Sequence, residues 1–259
     1  MSSEHVPTGI AGLDDLLGGG YPRGRVILIT GGPGSGKTLM SMQFLIDGIE
    51  RFDETGVFVS LEESKYHLSN EMANFGWDLE KYEKKSQIAI VDASPLRQVS
   101  KEKEEEVAPS EDEHRDVKIR GAEFSIQALS TVIRSYARVT RATRIVVDPI
   151  TSLSFQFPDE QQRRIAIIDL LDALMSMGTT NIITSEMGAL VGGTPNGRQV
   201  PAEEYLCHGV IVLHHNLSGK GVVSLLEIEK MRGTKHDKQL HQYSINEKGV
   251  EVQPDRFLG

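Results

Sequence analysis

The eight residues Gly31-Gly32-Pro33-Gly34-Ser35-Gly36-Lys37-Thr38 fit the pattern G-x-x-x-x-G-K-[ST], and no other stretch of the chain restricts its fold as tightly. The pattern works only between a buried strand and a helix. Its glycines let the backbone wrap until several N–H groups converge at a helix N-terminus, where anions are held. That context is present: the apolar run Val26–Ile29 precedes the loop and the helical stretch Leu39–Ile49 follows it. The expected contacts to bound phosphates are Gly32, Pro33, Gly34, Ser35, Gly36, Lys37, Thr38 and Leu39. Lys37 is suited to reach the β- and γ-phosphates of a nucleotide, and the Thr38 hydroxyl to ligate Mg²⁺.

Short apolar runs alternate with longer helical patterns along the chain, which predicts βαβ units and an α/β fold with a mostly parallel sheet between helices. Strands are expected at Arg25–Thr30, Val57–Leu61, Ile88–Val91, Ile145–Val147, Asn181–Thr184, Val210–Leu213 and Val222–Ile228. Helices are expected at Thr38–Ile49, Glu123–Val139 and Glu160–Met177, the last with Ile167, Leu170, Leu171, Leu174 and Met177 on one apolar stripe. After Val210 the pattern turns to adjacent strands, so the chain should close in antiparallel pairs. No linker divides residues 1–259, which read as one domain. The stretch Lys101–Lys118 carries blocks of like charge and almost nothing apolar, and it reads as a flexible acidic insertion. His114 within it is not a credible metal ligand.

Composition excludes some classes. No run approaches the ~20 apolar residues that cross a bilayer. One cysteine, Cys207, permits neither an internal disulfide nor a thiolate cluster. With no leader-like start, a cytoplasmic protein is expected. The net charge of −9 disfavours nucleic acid as the main partner without excluding it.

A second apolar strand, Arg144-Ile145-Val146-Val147-Asp148, ends in an acid. Alone, such an aspartate is more often a turn or cap residue. Beside a phosphate-binding loop, in this chain order, it is the expected anchor of the magnesium hydration shell. Glu62 and Glu63 follow the strand Val57–Leu61, where a carboxylate faces the ligand crevice and can orient or deprotonate water. By pattern alone they could equally open the next helix.

In this order the residues resemble the KaiC-like branch of the RecA/RadA superfamily of P-loop ATPases. The leader Thr8–Gly24, Ser60-Leu61-Glu62-Glu63-Ser64, the helix start Phe124–Leu129, Asp148–Leu153 and Lys230-Met231-Arg232-Gly233-Thr234-Lys235-His236 carry the likeness over nearly the whole chain. The resemblance implies a RecA-like fold, ATP and Mg²⁺ as cofactors, Glu62 and Glu63 as a catalytic pair, and a homo-oligomer, hexameric by analogy. It further implies that Lys230 and Arg232 enter the nucleotide site of the next subunit, with Met231, Thr234 and His236 lining that neighbour's nucleotide. From spacing alone the same segment would be a basic turn closing a β-hairpin. Thr184-Ser185-Glu186 ends a strand where related ATPases sense the γ-phosphate. Two departures stand out. The clock proteins carry tandem domains and an adjacent Ser/Thr phosphorylation pair, whereas 188–201 offers Thr194 alone, which puts autokinase activity in doubt. His208 stands where an acid is expected.

The leading expectation is a slow switching ATPase whose nucleotide state is read by an unidentified protein partner. A RadA-like recombinase accessory acting on single-stranded DNA is the alternative. It calls for basic and aromatic residues along a channel, and Trp77 reads as packed while Gly192–Arg198 offers a single arginine. A third reading is an ATP-gated scaffold with negligible turnover.

Overall fold

The computed structural model describes residues 4–94, 125–186, 202–218 and 221–258. Along them run β1 (His5–Val6), α1 (Leu13–Leu16), β2 (Tyr21–Pro22), β3 (Val26–Gly31), α2 (Lys37–Phe52), β4 (Gly56–Ser60), α3 (Lys65–Ala73) and α4 (Leu79–Lys84). There follow β5 (Ile88–Asp92), α5 (Ile126–Thr140), β6 (Arg144–Asp148), a 3-10 turn (Ile150–Phe155), α6 (Glu160–Ser176) and β7 (Thr180–Glu186). The chain ends in α7 (Ala202–Leu206), β8 (Gly209–Ser218), β9 (Gly221–Met231), β10 (Leu240–Asn246) and β11 (Gly249–Leu258).

Among the described residues, nine strands form one sheet in the order β11-β10-β9-β8-β3-β7-β6-β4-β5. The six from β8 to β5 are parallel, and β9, β10 and β11 are added antiparallel. This is the α/β arrangement the apolar pattern predicts. Strands covered on both faces read as continuous apolar runs, and every residue of β3 and β4 is buried. In β10 burial alternates through Tyr243, as a strand exposed on one side requires. One core packs Met40, Phe44, Ile27 and Phe58 beneath α2; the other packs Leu129, Ile133, Leu170 and Leu174 of α5 and α6 against Leu28 and Val147. Trp77 belongs to the first, its ring stacked 5.6 Å from Phe75.

Element ends differ from the sequence expectations where caps decide them. The helix expected from Glu123 begins at Ile126, because the Ser125 hydroxyl accepts from Ala128 N at 3.1 Å. α2 runs on to Phe52 and stops at Asp53, whose φ of 53° leaves the helical region. The helix that could open after Glu62 and Glu63 is α3, and α4 was not expected; Ser64 and Asp78 cap the two. Neither Glu62 nor Glu63 serves as that cap. The acidic stretch 101–118 with His114, and 188–201 with Thr194, lie outside the described residues. No described helix is long and apolar enough to cross a membrane.

The N-terminal segment is tied to the far end of the sheet through Gln43 of α2. Its amide donates to Gly9 O at 2.8 Å and Val250 O at 3.1 Å, and its oxygen accepts from Val250 N at 2.7 Å. Arg144, at the foot of β6, is a second tie. Its guanidinium is 1% exposed, pairs with Glu54, donates to Phe44 O at 2.7 Å and Pro7 O at 3.0 Å, and stacks 4.5 Å from the Phe44 ring. Gly48 makes the room: a Cβ there would stand 2.5 Å from Arg144 Nε. Gly48→Ala in a helix interior ordinarily stabilises by about 1 kcal/mol. Here the pinned guanidinium reverses the sign, and thermal unfolding of G48A should show a loss of about 1–3 kcal/mol.

Candidate active site

The loop between β3 and α2 adopts the wrap that its glycines permit. Gly34 and Gly36 have φ of 73° and 89°, and a Cβ added at Gly32 or Gly34 would meet nothing within 4 Å. The loop thus presents open backbone at the start of a 16-residue helix, the geometry that receives phosphate. Lys37 is buried, and its ammonium donates to Gly31 O at 3.0 Å and Gly32 O at 2.9 Å. Burial holds that ammonium below the usual lysine range, while Glu186, Asp148 and Glu62 pull it the other way.

Parallel register then assembles the rest. β7 lies between β3 and β6, so the carboxyl ends of all three meet. Asp148 is 6% exposed; its Oδ2 accepts from Thr38 Oγ1 at 2.8 Å and its Oδ1 from the Thr184 hydroxyl. Burial pushes the Asp148 carboxyl up, and these two hydroxyls and Lys37 oppose the shift. Thr38 and Asp148 offer one hydroxyl and one carboxylate side by side, a hard oxygen set that suits Mg²⁺ completed by waters and phosphate.

A cavity of about 390 Å³ opens over the loop. It is lined by Pro33, Gly34, Gly36, Lys37, Thr38 and Leu39, by Glu62 and Glu63 after β4, by Asp148 and Pro149 after β6, and by Glu186 of β7. Gly32 and Ser35 belong to the same loop but are not among the lining residues; Ser35 is buried. Glu71, Met72, Phe75 and Ile245 complete the lining, and the sequence reading did not place them there. A weak signal existed for Met72, which lies four residues after Leu68 on α3, both buried. Five carboxylates, Glu62, Glu63, Glu71, Asp148 and Glu186, thus face the single ammonium of Lys37 among the described lining residues.

Glu63 is held in place from behind: Ser60 Oγ donates to Glu63 O at 2.6 Å and accepts from Glu63 N at 3.2 Å. Burial, then Glu71, Asp148 and Glu62, push its carboxyl up; His67 opposes them.

Lys230, Met231, Arg232, Thr234 and His236 do not line this cavity. They occupy the end of β9 and the connection to β10, which is an antiparallel hairpin as spacing allowed. Lys230 donates to Glu204 O and Arg232 to Tyr205 O at 3.1 Å, at the end of α7. His236 Nδ1 lies 3.1 Å from Thr234 O. His208 sits beside this cluster, and burial followed by Arg25, Arg232 and Lys230 holds its imidazole below the usual histidine range. A neutral ring therefore stands where an acid was expected.

The family described as "ATPase: KaiC" matches residues 6–256. The chain belongs to the KaiC family of ATPases. A UPF0273 protein of Aeropyrum pernix is 35% identical over 257 residues, 98% of this chain and 96% of that one. The circadian clock oscillator protein KaiC of Synechococcus elongatus is 34% identical over 260 residues, which span 98% of this chain but 46% of the clock protein. The structure of a KaiC-like protein from Pyrococcus horikoshii superposes with a TM-score of 0.77 at 33% identity, covering 96% of this chain and 99% of that one. That superposition over 96% of this chain agrees with the α/β fold described above.

The crowding of carboxylates around Glu63 yields a stability prediction. Its folded-state pKa lies above the usual glutamate value of 4.5. Its ionised form therefore destabilises the nucleotide-free fold at pH above that raised value, and the penalty disappears as pH falls below the ordinary one. Glu63→Gln should raise the melting temperature of nucleotide-free protein at pH 7–8, with the gain shrinking to nothing near pH 4 in a pH series of thermal scans.

Proposed function

We propose that the chain binds Mg·ATP at Gly32–Leu39 and hydrolyses it to ADP and phosphate. The working unit is a cytoplasmic homo-oligomer, a hexameric ring by analogy with the family, with nucleotide between subunits of one 1–259 domain each. The observation that carries this reading is the charge of the cavity. A triphosphate brings further negative charge to a wall of five carboxylates facing Lys37, so binding there calls for imported cations.

Two sources are at hand. Thr38 and, through water, Asp148 would hold Mg²⁺, which would supply positive charge against the charge that develops during transfer. The other source is the basic segment of an adjacent copy. Lys230 and Arg232 do not line their own chain's cavity; they donate to carbonyls at the end of α7. Entering the neighbouring cavity, they would meet the γ-phosphate, with Met231, Thr234 and His236 along the nucleotide. Lys37 exchanges its loop carbonyls for phosphate oxygens. Glu62 and Glu63 accept the proton of the attacking water or orient it; the raised pKa of Glu63 favours the proton-accepting role there. Because Arg232 follows the γ-phosphate across the subunit boundary, hydrolysis alters subunit packing, and a protein partner reads the change.

Steady-state hydrolysis at low salt, with and without single-stranded DNA, checks the reading. The expected rate is slow and indifferent to DNA. Glu62→Gln/Glu63→Gln should lower it by about 100-fold or more while ATP affinity is retained. Full turnover in the double variant removes the pair's catalytic role, and strong stimulation by DNA moves the protein to the recombinase reading.

A further inference from the structure

Two side chains of β10 reach the phosphate-binding loop, Tyr243 at Ser35 and Ile245 at Gly36, where Ile245 also lines the cavity. Tyr243 and Ile245 are two residues apart and share one face of the strand. Tyr243 is 2% exposed, and its hydroxyl donates to Ser35 O at 2.8 Å in a buried hydrogen bond. Burial pushes that hydroxyl up to about 12, so it stays protonated and remains a donor. Ile245 packs over the next residue: a Cβ built on Gly36 would stand 2.9 Å from Ile245 Cδ1.

Both contacts fall on one peptide unit, Ser35–Gly36. In a trans peptide the C=O and N–H point in opposite directions, so a donor fixed on the Ser35 oxygen also fixes the aim of Gly36 N–H. Gly36 lines the cavity and has φ of 89°, in a region that glycine enters at little cost. The same freedom would let this peptide turn over if nothing held it. We propose that Tyr243, backed by Ile245, is a positioning residue that locks the Ser35–Gly36 peptide with its N–H directed at bound phosphate. This rests on the nucleotide reading of the cavity. β10 begins at Leu240, shortly after the Lys230–His236 segment, so the strand that clamps the loop is the next one after the residues assigned to the neighbouring site.

Calorimetric titration of wild type, Tyr243→Phe and Ile245→Ala with Mg·ATP and with Mg·tripolyphosphate tests this. Loss of one buried donor should weaken both ligands about five-fold in Y243F, equally, because the fault lies in the phosphate loop and not at the base. Ile245 is 45% exposed, so I245A should fold and weaken both ligands in the same proportion. Tyr21→Phe, which removes a buried hydroxyl without a hydrogen-bond partner among the described residues, should change neither affinity. Wild-type affinities in Y243F and I245A, with only a lowered melting temperature, would overturn the positioning role and leave the nucleotide reading standing. A wild-type chain that binds neither ligand would overturn both.

Discussion

A carboxylate buried at the end of a strand must be hydrogen-bonded, protonated or ligated, and Asp148 places that demand on this fold. The Thr38 and Thr184 hydroxyls meet it from two different elements. This requires β7 to lie between β3 and β6, with the three in one parallel register. Strand order, loop position and candidate metal oxygens are therefore facets of one constraint. The remainder of the structure holds that register: two apolar cores on the two faces, Gln43 bridging α2 to β11, and Arg144 binding the foot of β6 to α2.

The parallel half of the sheet was legible because doubly covered strands leave uninterrupted apolar runs, and Val26–Gly31 and Arg144–Asp148 carry the phosphate loop and the acid at their ends. The likeness in five separated segments was legible for the same reason: function confined those residues locally. Contributions from distant elements were not. Glu71 comes from a short helix with little periodicity and Phe75 from the turn that follows it, and Ile245 from a strand more than 200 residues after the loop it touches. Nothing near Thr184 in sequence announces that its hydroxyl meets Asp148. Arg144 carried no signal beyond opening an apolar strand, yet it is a fully buried cation with Gly48 cut to its shape. Long-range complementarity of this kind leaves no local pattern.

Electrostatics joins the two halves of the site. Within one chain the carboxylates collect around Lys37, while Lys230 and Arg232 collect around His208 and the end of α7. Among the described lining residues the cavity sets five carboxylates against one ammonium. Docking the basic cluster of a second copy against it in a repeating head-to-tail assembly would offset that charge, and such an interface closes into a ring when the rotation allows. In this account the nucleotide is a component of the interface, so hydrolysis and assembly geometry share one site. In the proposed assembly, the hydrogen bond from Tyr243 of β10 to Ser35 would give that interface a short path back to the phosphate-binding loop.

The claim that the site is shared can be measured by mixing two inactive variants. Lys37→Ala lacks a working phosphate loop but keeps the basic segment; Lys230→Ala/Arg232→Ala keeps the loop and lacks the segment. If subunits exchange at random, interfaces that pair the intact loop with the intact segment should return about a quarter of the wild-type ATPase rate. Demonstrated exchange with no return of activity would contradict the shared site.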